Sequence, residues 1–245
     1  MLRAADELEE SSSILRQAGL EPVAAPALEI RELPPDLETA RRIAAADIVI
    51  FASARAVRIF FSGAWHAAVI SGQARVISIG ERTQTALNRH GVETLKPASY
   101  SSSGLVELIR ALPSEGKAVV VLRSREGSST LSMGLREMGY DITEIALYSV
   151  GYPRNDDLLR ALVRDIAEGG IYAIPFTSAM MTRNFFRCAE MNCIMLEFMK
   201  KLGECSLWSI GPETSAVLRE SGAIFREARV ADYGAIAAEI ASAHK

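Results

Sequence analysis

Short apolar runs alternate with longer amphipathic stretches along the whole chain. Ile48-Val49-Ile50-Phe51, Ala118-Val119-Val120-Val121-Leu122 and the segment 171–176 are uninterrupted enough to read as strands buried on both faces. Residues 8–17, 37–46, 54–61, 83–89, 105–111, 131–138, 158–167, 214–218 and 236–241 place their apolar positions at the helical period. Strand alternating with helix predicts parallel sheets with helices on both faces. Right-handed crossovers then bring every strand-to-helix turn to one edge of its sheet.

Punctuation supports these elements. Ser53 and Ser178 end their strands and suit the N-cap position, Pro212 suits a first helical turn, and Ser101-Ser102-Ser103 forms another cap cluster. Gly19, Gly91, Gly139 and Gly222 stand where helices stop.

The pattern occurs twice. Ile50-Phe51-Ala52-Ser53-Ala54 returns as Pro175-Phe176-Thr177-Ser178-Ala179, with Phe60-Phe61 and Phe185-Phe186 following at equal spacing. Ile79-Gly80-Glu81-Arg82-Thr83 returns as Ile210-Gly211-Pro212-Glu213-Thr214, and Leu2-Arg3 with Leu15 and Gly19 returns as Leu122-Arg123 with Leu135 and Gly139. The offset far exceeds the roughly 20–50 residues of a solenoid repeat, so it predicts duplicated α/β halves.

Composition narrows the class. The chain has 245 residues, 49% of them hydrophobic, with a net charge of -3, enough apolar material for two cores and no basic surface that would favour nucleic acid. Asp6, Glu7, Glu9 and Glu10 stand where a signal peptide carries positive charge, and no long apolar run suggests a membrane span, so a cytoplasmic location is expected. Cys188, Cys193 and Cys205 lack a paired metal-binding spacing, and His66, His90 and His244 lack partners at i+4, so no metal is expected. His90, beside Gly91, is expected at a helix end facing the last carbonyls.

A strand that delivers Phe-x-Ser-Ala onto a helix start presents a hydroxyl and free N–H groups at the positive end of the helix dipole. Ile-Gly-x-x-Thr does the same with a glycine that admits close approach and a threonine donor in the first turn. Four such turns suit a ligand with several carboxylates or phosphates, and if the two halves face each other they line one cleft. No phosphate loop or dinucleotide fingerprint is present, which disfavours nucleotides.

These motifs, with Leu-Arg opening each half and Ala146-Leu147-Tyr148 before a return segment, resemble the uroporphyrinogen-III synthase family over essentially the whole chain. The resemblance implies two flavodoxin-like α/β domains joined by a two-stranded ladder. Carried over, 1–26 with 153–245 would form one domain, 32–145 the other, and 27–31 with 146–152 the linker. It also implies a cofactor-free lyase of tetrapyrrole synthesis that acts as a monomer. Such an enzyme closes hydroxymethylbilane with loss of water and inversion of the last pyrrole ring, chiefly by bringing the ends of a flexible chain together.

Tyr148 matches the family's tyrosine and is the expected acid for the departing hydroxyl; it aligns with Leu28 in the first half, so the phenol breaks the duplication. Ser53, Thr83, Thr177, Ser178, Gly211 and Thr214 are expected at substrate carboxylates, and Arg3, Arg55, Arg82 and Arg123 lie in motif loops as possible ion-pair partners, or as solvated surface groups. Ala52 against Thr177 predicts weaker binding in the first copy, or binding through backbone alone. One irregularity stands out: Lys117-Ala118-Val119-Val120-Val121 precedes Leu122-Arg123, whereas only Met1 precedes Leu2-Arg3. The expectation is a late start site or a shortened first strand. Two other readings remain: a non-catalytic relative that binds polyanions or regulates, and an unrelated two-domain solute-binding protein, which the acidic N-terminal stretch disfavours.

Overall fold

A computed structural model describes residues 1–33, 36–63, 74–113 and 116–243. His66 and His244 lie outside the described residues. In chain order the elements are β1 (Leu2–Ala4), a 3-10 turn (Ala5–Glu7), α1 (Leu8–Gln17), β2 (Ala25–Glu32), α2 (Leu37–Ala44), β3 (Ile48–Phe51), α3 (Ala54–Ser62), β4 (Arg75–Ser78), α4 (Glu81–Asn88) and α5 (Ser102–Ala111). There follow β5 (Ala118–Ser124), α6 (Thr130–Glu137), β6 (Asp141–Gly151), α7 (Asp157–Ala167), β7 (Ala173–Phe176), α8 (Ala179–Asn192), α9 (Met195–Leu202), β8 (Ser206–Ser209), α10 (Pro212–Glu220), β9 (Arg226–Glu227) and α11 (Tyr233–Ala243). This is an α/β architecture in two sheet-containing units. Met1–Glu29 joins Gly151–Lys245 in one, and Ile30–Val150 forms the other, so the chain passes between units within β2 and again within β6.

In the Ile30–Val150 unit the strand order is β6-β5-β3-β4, all parallel. Successive strand residues face opposite sides. Val49, Phe51, Val120 and Leu122 therefore enter one core with Phe60 and Leu87, while Ile48, Ile50, Val119 and Val121 enter another with Leu105, Ile109 and Leu135. Burial on both faces is what the unbroken apolar runs demand. His90 differs from expectation: its ring lies flat on Phe61, centroids 4.0 Å apart and planes 7° off parallel.

The other unit pairs β1 with β2 in parallel and, separately, β7 with β8 and β8 with β9. Its β1 has three residues where β5 has seven. A cavity of about 270 Å³ lies at the start of β1, lined in part by Met1, Leu15, Val23, Ile171 and Ile174. The strand read at 171–176 begins at Ala173, after the exposed Tyr172. Helix α8, of which the sequence pattern gives only the start at Ser178, and helix α9, which it does not give, complete this unit.

The duplication is visible in space. Phe51, Phe60 and Phe61 form two edge-on contacts and one stack, with centroids 5.5, 5.3 and 6.5 Å apart; Phe176, Phe185 and Phe186 repeat them at 5.4, 5.2 and 6.3 Å. Gly19 and Gly139 end equivalent helices at φ +79° and +81°, a conformation that strains any residue with a Cβ.

Candidate active site

Within the Ile30–Val150 unit the parallel strands end at one edge, where the turns onto the helices sit. After Phe51 the chain stays extended through Ser53, whose Oγ accepts the Ala56 N–H at 3.0 Å and so caps α3. The same oxygen lies 3.0 Å from the Tyr148 Oη. Tyr148 arrives from β6, opposite Ser124, and its carbonyl accepts the Arg125 N–H at 2.8 Å. The two residues are 95 positions apart in sequence. A cavity of about 160 Å³ lies here, with Tyr148, Ala52, Ser102, Arg123, Ser124 and Ser128 in its lining.

Strand register explains the placement. The β5–β6 pairing slips between Arg123 and Ser124, leaving Ser124 opposite Tyr148; the β1–β2 pairing slips between Arg3 and Ala4, leaving Ala4 opposite Leu28. The duplicated irregularity makes Leu28 and Tyr148 structural equivalents. Both are buried, so the phenol is a polar addition at a position that packs an apolar side chain in the other copy.

The two Leu-Arg arginines brace their own turns. Arg123 donates to the Ser124 carbonyl (3.2 Å), the Ser128 carbonyl (2.7 Å) and Glu144 Oε1 (3.1 Å). Gly127 lies against its guanidinium, where a Cβ would come within 2.3 Å. In the other unit Arg3 donates to Ser11 Oγ and Thr177 Oγ1, each at 3.1 Å, and pairs with Glu7 at 2.9 Å. The Thr177 hydroxyl is thus already an acceptor. Arg55 is half-buried and Arg82 exposed.

The two Ile-Gly turns differ. At Gly80 the Tyr100 ring packs where a Cβ would come within 3.0 Å, and the Tyr100 phenol donates to Glu81 at 3.1 Å. Lys96 also donates to Glu81, and these bonds, that of Lys96 first, hold the Glu81 carboxyl below the usual carboxylate range. The start of α4 therefore carries a carboxylate of its own. At Gly211 nothing lies within 4 Å of a Cβ position, Pro212 opens α10, and the Gly211 carbonyl accepts the Ser209 hydroxyl at 2.9 Å. Both glycines are extended, so neither is there for a positive φ. Thr83 and Thr214 are buried in the first turns.

Ser178 occupies the N-cap of α8, but its side chain makes no capping bond; its carbonyl instead accepts the Thr182 N–H and hydroxyl at 3.0 and 2.9 Å. Of the sequence candidates, the fold brings Ser53 to Tyr148 and Arg3 to Thr177. Ser102, Ser124 and Ser128, which the duplicated motifs do not single out, also line the cavity, and Ser102 belongs to the cap cluster at 101–103. Among the described residues no three acidic, histidine or cysteine side chains gather in a way that holds a metal ion, and no helix is long and apolar enough to cross a membrane.

Comparison with curated proteins finds no match. Among solved structures, a triple-methionine mutant of uroporphyrinogen III synthase from the extremely thermophilic bacterium Thermus thermophilus is similar at TM-score 0.66 and 17% identity, covering 100% of this chain and 98% of that one. Uroporphyrinogen-III synthetase from Helicobacter pylori is similar at TM-score 0.62 and 19% identity, covering 89% and 91%. At these identities the likeness is one of fold. The family model described as uroporphyrinogen-III synthase HemD matches residues 9–236, nearly the full length, and the chain belongs to the uroporphyrinogen-III synthase family.

Proposed function

We propose that the chain converts linear hydroxymethylbilane to uroporphyrinogen III, losing water and inverting the terminal pyrrole ring, as a lyase of tetrapyrrole synthesis. The observation that carries this reading is Tyr148, a residue that lines the cavity at the strand-end edge, pairs its phenol with Ser53, and has a leucine as its structural equivalent. A phenol is an acid that can protonate the departing hydroxyl. The C–O bond breaks as the phenolic proton transfers, and water leaves. The far ring attacks the resulting cation through a spiro intermediate, which fragments and recloses inverted. The proton released as the ring regains aromaticity restores the phenol.

In the same reading the substrate's carboxylates meet N–H groups and hydroxyls at the strand-to-helix turns: Thr83, Thr177, Ser178, Gly211 and Thr214, with the backbone at Ser53. Arg3, Arg55, Arg82 and Arg123, all in motif loops, are the arginines proposed for ion pairs with the substrate, Arg3 and Arg123 from within their bracing bonds. Of the two Ile-Gly turns, the one at Gly211 is the more open. The units are proposed to be flavodoxin-like, divided at 1–26 with 153–245 and at 32–145, with 27–31 and 146–152 as a two-stranded linker. The enzyme works as a cytoplasmic monomer without a cofactor.

The test is the isomer formed from hydroxymethylbilane. Uncatalysed closure gives the type I ring, so the expected result is diversion to type III in proportion to enzyme added. Type I alone at any enzyme concentration rules the reading out.

A further inference from the structure

We infer that Ser53 is the positioning residue for the Tyr148 phenol, acting through that phenol rather than on the substrate. The inference rests on the acid role proposed for Tyr148. Three observations carry it. The Ser53 Oγ accepts the Ala56 N–H at 3.0 Å, which fixes the serine rotamer at the start of α3. That fixed oxygen sits 3.0 Å from the Tyr148 Oη. Ser53 itself is anchored at the end of β3, whose ladder continues one step further as the Ala52 N–H donates to the Leu122 carbonyl at 3.0 Å. Backbone bonds at Ala52 and at Tyr148 thus hold the two hydroxyls against each other.

The serine hydroxyl has one proton, and its oxygen already accepts from the helix. Before reaction the phenol can donate to Ser53. Once the substrate hydroxyl takes the phenolic proton, the serine turns its own O–H onto the phenolate oxygen, and no atom beyond these is needed. The bond formed is then to a charged acceptor, the stronger kind, and it is made only as the C–O bond breaks. The N-terminus of α3 adds a favourable dipole beside the developing negative charge. The duplicate strand end lacks this arrangement, because the residue equivalent to Tyr148 is Leu28; there Ser178 makes no cap and has no phenol to serve.

The test is steady-state kinetics on hydroxymethylbilane, with the isomer ratio recorded, for Ser53→Ala, Ser53→Gly, Ser53→Thr, Tyr148→Phe and Ser53→Gly combined with Tyr148→Phe. Glycine keeps a workable N-cap, so Ser53→Gly guards against a folding defect in the alanine variant. The expected result is a kcat about tenfold lower for Ser53→Ala and Ser53→Gly, the worth of one hydrogen bond to a charged group, with KM changed by less than about twofold. Ser53→Thr restores most of the rate, and Ser53→Gly costs nothing further once Tyr148 is Phe. An equal loss for Ser53→Gly with and without the phenol, or a rise in KM alone, overturns the inference and returns Ser53 to substrate binding or to the fold. Failure of the underlying reading looks different. A wild-type enzyme that yields only type I product, or a Tyr148→Phe enzyme as fast as wild type, removes the acid role itself.

Discussion

The phenol of Tyr233 lies under the Arg3 guanidinium, 5.0 Å from guanidinium carbon to ring centroid, and donates toward the Met1 sulfur at 3.6 Å. Burial pushes its pKa up to about 12, although Arg3 pulls the other way. In the unfolded chain the same phenol titrates near 10. Between those values the folded protein keeps a proton that the unfolded chain has released, so stability falls as pH rises from about 10 to about 12, by up to about 2 kcal/mol. Tyr233→Phe should flatten that part of the profile while leaving stability near neutral pH little changed, as urea unfolding at several pH values would register. Tyr148 is buried to the same extent but meets a hydroxyl in place of a thioether. Burial alone does not separate a packing tyrosine from a working one; the group facing the oxygen does.

Among elements, the two Ile-Gly turns offer a matched pair. Both glycines are extended and both precede a helix, so replacing either with alanine changes the same backbone preferences. They differ in what a methyl group meets: the Tyr100 ring at Gly80, open space at Gly211. Gly80→Ala should therefore be less stable than Gly211→Ala by about 1 kcal/mol, the low end for forcing extra volume against packed atoms. If a substrate carboxylate approaches the α10 turn, Gly211→Ala is the variant that raises KM. Thermal unfolding and initial-rate kinetics separate the two effects. Element ends of this kind are legible in the sequence because glycine, proline and serine have narrow backbone roles there, and the stops at Gly19 and Gly139 follow directly. Helix α8 is legible at its Ser178 cap but not along its length. It buries Thr182 and Asn184 along with Met181, Phe185 and Phe186, and polar residues on a buried side blur the apolar period. The Asn184 amide donates to the Ala27 carbonyl at 2.8 Å, a partner 157 residues away. Tyr148 is legible as a departure from the repeat. Its pairing with Ser53 is not, because a slip in strand register between Arg123 and Ser124 decides which side chains meet.

At the scale of the whole molecule, each unit has its own aromatic triad and its own core. Phe60→Ala and Phe185→Ala each remove a fully buried ring and should cost about 3–5 kcal/mol. Native-state hydrogen exchange should show the first loss in Ile30–Val150 and the second in Gly151–Lys245 together with β1. Faster exchange spread evenly over the chain from either substitution would mean that the cores are not separate. The crossing of the chain within β2 and β6 also sets an order in time. A ribosome releases Met1–Glu29 first, then the 121 residues of Ile30–Val150, and only afterwards the segment that shares a unit with the opening one. At about 5–20 residues per second that interval is roughly 6–24 s. Ile30–Val150 can close while synthesis continues, whereas Leu2, Ala4 and Leu15, all buried in the finished protein, wait with their apolar surface uncovered. Met1–Glu29 is thus made well before the rest of its unit and sheltered only with it, which gives a chaperone a stretch to cover during translation.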